Sequence, residues 1–595
     1  MVSDHSQLYY ASRMHGAHDL LTRWPALDIA ARRARLQESL QLAPGPLKDM
    51  LDASAPAAER AAGALWRREP SAWSDDAGVQ QKILTRLGWM SSPALMADSL
   101  DRLRDFAVAV RNDRFTDVVL LGMGGSSLAP EVLRTTLGVA PGWPRFHVLD
   151  STDPAAIRAA STPPRTTLYI VSSKSGTTIE PNVLAAYFRG RLLADVSDAS
   201  ATWGTHFVAI TDEGTELAKR ARTDRYRDVF INPSDIGGRY SALSFFGMVP
   251  AALMGLDVAA IVAWGLAMLA AAEPGFGTAL TNPATALGLA MGTGARAGRD
   301  KLTLELPDAF EAFGLWVEQL IAESTGKNGT GIVPIAGERV DASAYGADRL
   351  LVRVNSAKRP AAETPTVDLR MPEPTAIGAE FVRWEIATAV AGALLHINPF
   401  DEPNVQQAKD ATRALLDEYQ RTKALPRGAP AKTLDDGIQL TLSERARKYL
   451  DQQGPDAILT LLRQGDYFAL LAYLGPDRAL EDALQAMRNS VAQATHAATM
   501  FGYGPRYLHS TGQLHKGGPN KGVFVLITAT PREDIAIPGE TFSFGTLELA
   551  QALGDFASLD AAGRRALHAH LPAPDPALVQ RLGERLLSHI DKRSS

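Results

Sequence analysis

Leu, Ala and Arg recur at three- and four-residue spacing through roughly the first hundred positions, the period of helices with one buried face. Pro44 and Pro46 break that stretch, and Pro56, Pro70 and Pro93 punctuate it further. From Asp117 the pattern changes. DVVLLGMGGSS is a short apolar run closed by a Gly/Ser turn, and a helical pattern follows from Pro130. FHVLDSTDP, TLYIVSSKSGTT and HFVAITDEGTELAKRA repeat the plan, each an apolar run of strand length before a polar turn and a helix start. Four such units in close succession predict a parallel sheet covered by helices on both faces.

Residues 240–272 and 283–297 read as further helix. KLTLEL (301–306) and RLLVRVNS (349–356) read as strands of a second α/β unit, interleaved with helices over 310–322 and 379–395. ALPRGAPAKTLDD (424–436), rich in Pro, Ala and charge, is the best linker. Helices around 443–463 and 480–499, the strand VFVLITAT (523–530) and a final helical region follow it. The expected class is α/β: an N-terminal helical segment (1–100), two doubly wound parallel-sheet domains (101–275 and 276–423), and a C-terminal α/β extension (437–595).

Composition removes several alternatives. The chain has 595 residues and no cysteine, which excludes a disulfide scaffold, a thiolate nucleophile and a Cys-ligated zinc. Lys and Arg number 61 against 66 Asp and Glu, so the basic excess of a general nucleic-acid binder is missing. The first residues, MVSDHSQLYYASRMHG, lack the apolar stretch of a secretory signal. The longest uncharged apolar run, Val258–Ala272, falls short of the roughly 20 residues that span a bilayer. The expected location is cytoplasmic, with no membrane partner.

Five segments could carry chemistry. GMGGSSLAP (122–130) opens a helix after a strand, where glycines admit a ligand and exposed N–H groups favour an anion. It lacks the G-x-G-x-x-G spacing of a dinucleotide fingerprint, and a plain tight turn would look the same. SSKSGTT (172–178) places five hydroxyls and Lys174 before a helix, a denser donor cup than a Ser/Thr cap needs. DIGGRYSALSFFG (235–247) projects Arg239 from a tight turn, and AESTGKNGTG (322–331) carries Glu323 at a helix end, with Gln319 one turn earlier. HINPFDEPNVQQAKD (396–410) runs into a helix bearing Lys409. Singly, the last three are also compatible with a loop arginine, a solvated helix-end glutamate and a surface lysine.

In this order the five motifs resemble glucose-6-phosphate isomerase (phosphoglucose isomerase), built from two sugar-isomerase domains, over about residues 95–420. The wider chain, including RYLHSTGQLHKGGPN, looks most like the isomerase half of bifunctional transaldolase/phosphoglucose isomerase proteins. About 115 residues precede the first motif, whereas a transaldolase barrel takes roughly 250, so that second activity is expected to be absent. The resemblance implies isomerisation of glucose 6-phosphate and fructose 6-phosphate through an enediol. It implies no cofactor and no metal, a sugar phosphate as the small-molecule partner, and a homodimer as the assembly to test. It assigns the phosphate to Ser173, Lys174, Ser175, Thr177 and Thr178, and the sugar pocket to Gly124, Gly125 and Ser126. Glu323 would be the base, Arg239 the cation at the enediolate, Gln319 a substrate contact and Lys409 an aid to ring opening.

The chain departs from the family at three places. The phosphate loop usually has a bulkier residue at Gly176, Glu402 replaces an expected Gln, and residues 340–395 contain no ring-opening histidine. LHSTGQLHKGGPN (508–520) is expected to supply a replacement: its context resembles the His–Gly–Gly–Pro–Asn context of one bacterial branch, with His515 the closer match and His509 the second choice. Two other functions share these features, a non-catalytic sugar-phosphate-binding regulator and an isomerase of another hexose phosphate.

Overall fold

A computed structural model describes residues 17–195, 203–356, 363–403, 405–426 and 428–591. They fall into two compact units. The first runs through Asp150 and adds Thr162–Thr325 and Leu350–Asp401; the second comprises Ser151–Ser161, Gly326–Arg349 and the chain from Glu402 onward.

In the first unit, five parallel strands lie in the order Arg145–Leu149, Asp117–Leu121, Thr167–Ser172, Phe207–Asp212, Asp228–Asn232. Val118 to Leu121 and Leu168 to Val171 are fully buried, which explains why these strands read as continuous apolar runs. In sequence terms the order is 2-1-3-4-5. The chain reverses direction across the sheet beside Asp117–Leu121, and ligands of such sheets bind outside the carboxyl ends of the strands at that reversal. GMGGSS and SSKSGTT are the segments that leave those two carboxyl ends.

A second sheet of this unit places Leu40–Ala43, Thr366–Leu369, Arg349–Val354 and Lys301–Glu305 side by side. Thr366–Leu369 is parallel to Arg349–Val354, while Leu40–Ala43 closes the edge antiparallel, with Leu40 opposite Leu369. The N-terminal segment is therefore helical except for this strand. Pro56 lies inside the helix Lys48–Trp66 instead of ending it. Both Pro56 and Asp52 are exposed, so water can take up the carbonyl that the missing N–H leaves open. The apolar run Val258–Ala272 is a buried helix capped by Asp257, whose carboxylate accepts from Ala260 N at 2.9 Å. Among the described residues no helix is long and apolar enough to cross a membrane.

The second unit holds a six-stranded sheet in the order Lys432–Thr433, Gln439–Leu442, Arg565–Leu571, Gly522–Ala529, Tyr467–Tyr473, Ala498–Tyr503. The last four are mutually parallel, and Gln439–Leu442 joins them antiparallel. Leu470, Val525 and Leu567 centre its core with Leu484 and Leu582 from the covering helices. Lys432–Thr433 pairs with Gln439–Leu442, so the Pro-rich linker ends inside the sheet.

Candidate functional site

After Asp117–Leu121 the chain turns through the short 3-10 segment Gly124–Ser126, with Gly124 at φ +52°. Gly125 meets the second glycine motif backbone to backbone: a Cβ built on it would lie 2.1 Å from the carbonyl oxygen of Gly238. The Ser241 hydroxyl is within hydrogen-bonding distance of the Gly125 and Gly238 carbonyls, 3.2 and 2.6 Å, so one side chain ties the two turns together. Ser172 Oγ donates to Ser126 O at 3.0 Å and fastens the start of the hydroxyl loop to the same turn.

That loop passes from the strand Thr167–Ser172 to the helix Ile179–Asp195. Buried Ser173 accepts from Gly176 N and donates to Thr178 Oγ1, both at 3.2 Å, which closes the loop on itself. Ser175 and Thr177 are 3.1 Å apart, hydroxyl to hydroxyl, on the open side of the loop. The Asn182 amide holds the Gly176 and Thr178 carbonyls at 3.1 and 2.9 Å. Gly176 sits at φ +69°, and a Cβ there would meet Leu217 Cβ at 3.0 Å and Thr215 Cβ at 3.1 Å. This left-handed, crowded position favours glycine. Lys174 turns from the loop to an ion pair with Asp212 and donates to Ser234 O at 2.8 Å. Burial pushes the Asp212 carboxyl up to about 6, even with that ammonium beside it. The loop thus presents mainly hydroxyls and N–H groups, while the Lys174 charge is engaged behind them.

The helix Phe313–Thr325 places Gln319 and Glu323 one turn apart. Gln319 Nε2 donates to Glu323 Oε2 at 3.3 Å. On the other oxygen, Oε1, Glu323 faces the Arg239 guanidinium at 3.5 Å. Arg239 is 2% exposed on the turn Gly238–Tyr240. Its Nε donates to Ser324 Oγ at 2.8 Å, and its Nη2 to the carbonyls of Pro399 and Asp401 at 2.8 and 2.9 Å. A nearly buried carboxylate thus sits beside a cation whose plane is fixed by neighbours. Such a pair can move a proton and stabilise an oxyanion without reorganising.

Two candidates lie in the second unit. Lys409 falls on the helix Val405–Thr422, but its side chain is outside the described residues. His515, on the helix Gly512–Gly517, is 1% exposed and packs against the rings of Tyr467, Tyr507 and Phe524. Among the described residues neither of its ring nitrogens has a hydrogen-bond partner. Burial, with the charges of Lys516 and Arg564 adding to it, holds its pKa well below the ordinary range. His509, the second choice, is half-buried.

A family profile described as phosphoglucose isomerase matches residues 91–330. The glucose-6-phosphate isomerase of Rubrobacter xylanophilus is 30% identical over 391 residues, 55% of this chain and 89% of that protein. This chain belongs to the phosphoglucose isomerase family. Another member, the glucose-6-phosphate isomerase of Parasynechococcus marenigrum, is 27% identical over 512 residues, 75% of this chain and 88% of that protein. A crystal structure described as a hypothetical protein from Thermus thermophilus superimposes with a TM-score of 0.52 at 26% identity. It covers 63% of this chain and 99% of its own.

Within this family member, Gly124, Gly125, Ser126, the 173–178 loop, Arg239, Gln319 and Glu323 all fall inside the matched region, and Lys409 and His515 fall outside it. The structure also brings in residues that the sequence reading did not single out. Ser241 links the glycine turns, Asp212 takes the Lys174 charge, and Ser324 and Tyr240 stand against Arg239. The last two adjoin Glu323 and Arg239 in the quoted motifs, so adjacency was the available signal.

Proposed function

We propose that this chain interconverts glucose 6-phosphate and fructose 6-phosphate with Glu323 as the base and Arg239 as the fixed cation. The reversible isomerisation is the reaction of the family to which the chain belongs. The placement of Glu323 Oε1 3.5 Å from Arg239, with the guanidinium locked on its far edge, carries the assignment of roles.

In the open-chain aldose, Glu323 takes the proton from C2 and returns it to C1, while the hydroxyl proton passes from O2 to O1. The oxygen charge that develops between these steps is met by Arg239. Gln319, on the second Glu323 oxygen, holds the base in one orientation and contacts substrate. The 173–178 loop takes the phosphate with Ser173, Ser175, Thr177, Thr178 and its backbone N–H groups. Lys174 adds charge from behind, and Gly124, Gly125 and Ser126 form the floor under the sugar. Ring opening is assigned to Lys409 and His515, with His509 second, on the strength of the family motifs. The same proposal includes the likeness to the isomerase half of the bifunctional proteins and a homodimer as the assembly.

The direct test supplies fructose 6-phosphate and couples the glucose 6-phosphate formed to a dehydrogenase. Sustained turnover is expected. Binding of the sugar phosphate without turnover would make the chain a sensor, and turnover only with another hexose phosphate would change the substrate.

A further inference from the structure

We propose that Ser324 and Tyr240 are positioning residues that fix the plane of the Arg239 guanidinium through a closed circuit of hydrogen bonds ending on the Pro399 carbonyl. The role rests on Arg239 being the cation of the isomerisation. Arg239 Nε donates to Ser324 Oγ at 2.8 Å, and Arg239 Nη2 donates to Pro399 O at 2.8 Å. Tyr240 Oη stands 3.2 Å from both Ser324 Oγ and Pro399 O. One assignment of protons satisfies every group. The serine accepts from the arginine and donates to the tyrosine, the tyrosine donates to the carbonyl, and the carbonyl's second lone pair takes the arginine's other N–H. Along the run from Arg239 Nε through Ser324 and Tyr240 to the carbonyl each donation polarises the next, so that run is stronger than its separate bonds.

Burial makes the arrangement consequential. Ser324 is 0% exposed, and Tyr240 and Arg239 are each 2% exposed, so no member can exchange its partner for water. Tyr240 is held by stacking on Trp89, with centroids 5.3 Å apart, and by Phe400 at 5.6 Å. Burial pushes its phenol up to about 12, so it keeps its proton through the neutral range. Because Ser324 directly follows Glu323, the base and the acceptor that orients the cation sit on consecutive residues of one helix turn. The circuit therefore holds the Nε–Nη2 edge of the guanidinium and aims Nη1 at Glu323, 3.5 Å away.

The test compares kcat and KM for fructose 6-phosphate in Ser324→Ala, Arg239→Lys and the double variant, with thermal unfolding run on each. Ser324→Ala should lower kcat about ten- to a hundredfold, the range for a buried hydrogen bond to a charged group, with KM moved less than about twofold. Lysine has no planar fork to orient, so adding Ser324→Ala to Arg239→Lys should lower kcat by no more than about threefold further. Tyr240→Phe removes one hydroxyl without changing shape, and should give a smaller kcat loss of about three- to tenfold even if Ser324→Ala fails to fold. Wild-type kcat in Tyr240→Phe overturns the proposal. So does an equal loss from Ser324→Ala in both backgrounds. Near-normal turnover in Arg239→Lys would instead remove Arg239 from its assigned role and take the circuit's function with it.

Discussion

Gly125→Ala tests the assembly of the site at its tightest point. The new Cβ would lie 2.1 Å from Gly238 O and 2.2 Å from Gly238 C, both backbone atoms with no side-chain freedom to yield. Reaching even 3.0 Å, the closest distance real Cβ atoms keep, requires the two turns to part by about 0.9 Å. Gly238 is bonded to Arg239, so the guanidinium moves relative to Glu323 or the Ser241 tie breaks. A displacement of about 1 Å in a catalytic constellation costs on the order of a hundredfold in rate, and overpacking of this kind about 1–3 kcal/mol of stability. Gly237→Ala is the matched control. Its backbone is at φ −67°, ψ 149°, and a Cβ there meets only Tyr240 Cδ2 at an ordinary 3.6 Å. In the coupled assay Gly125→Ala should lose at least about tenfold in kcat/KM while Gly237→Ala stays within about twofold. Equal activity in the two variants would refute the reasoning.

The hydroxyl loop gives a second prediction: Ser173→Ala combined with Thr178→Ala should weaken 6-phosphogluconate binding about tenfold or more by calorimetry, since two hydroxyls of the cup go. Unchanged affinity would reduce the loop to a helix cap. A third concerns pH. Asp212, pushed up to about 6 from 3.8, binds its proton more tightly in the folded chain than in the unfolded one. Its contribution is fully present below about pH 4 and is lost as pH rises through about 6, by at most about 3 kcal/mol. Asp212→Asn should therefore flatten the fall in thermal stability between those values, and a variant that keeps the wild-type slope would contradict the assignment.

How much of this was legible depended on the range of the interactions. Strands such as Asp117–Leu121 and Thr167–Ser172 announced themselves because each apolar run stops at a Gly- or Ser-rich turn. Tyr467–Tyr473 and Arg565–Leu571 are short runs buried throughout, and Ala498–Tyr503 is buried over its first three residues. Period alone could not tell them from buried helix. In Arg565–Leu571, His568 and His570 both lie 2.8 Å from the Thr528 hydroxyl of the neighbouring strand, a pairing that only the sheet register creates. The local motifs located the glycines, the hydroxyl loop, Arg239 and Glu323. Their mutual support was not readable, because Gly125 needs Gly238, Lys174 needs Asp212, and Arg239 needs a carbonyl 160 residues away.

Glu323 is assigned to carry the proton between C2 and C1 beside Arg239, and solvent exchange in Glu323→Gln tests that role. The amide keeps the shape and the Gln319 contact side but cannot accept a proton. With fructose 6-phosphate in tritiated water, isomerisation and tritium incorporation at carbon should both fall by about a hundredfold to ten-thousandfold, while sugar-phosphate affinity changes little. Incorporation at the wild-type rate in a folded Glu323→Gln protein would contradict the account.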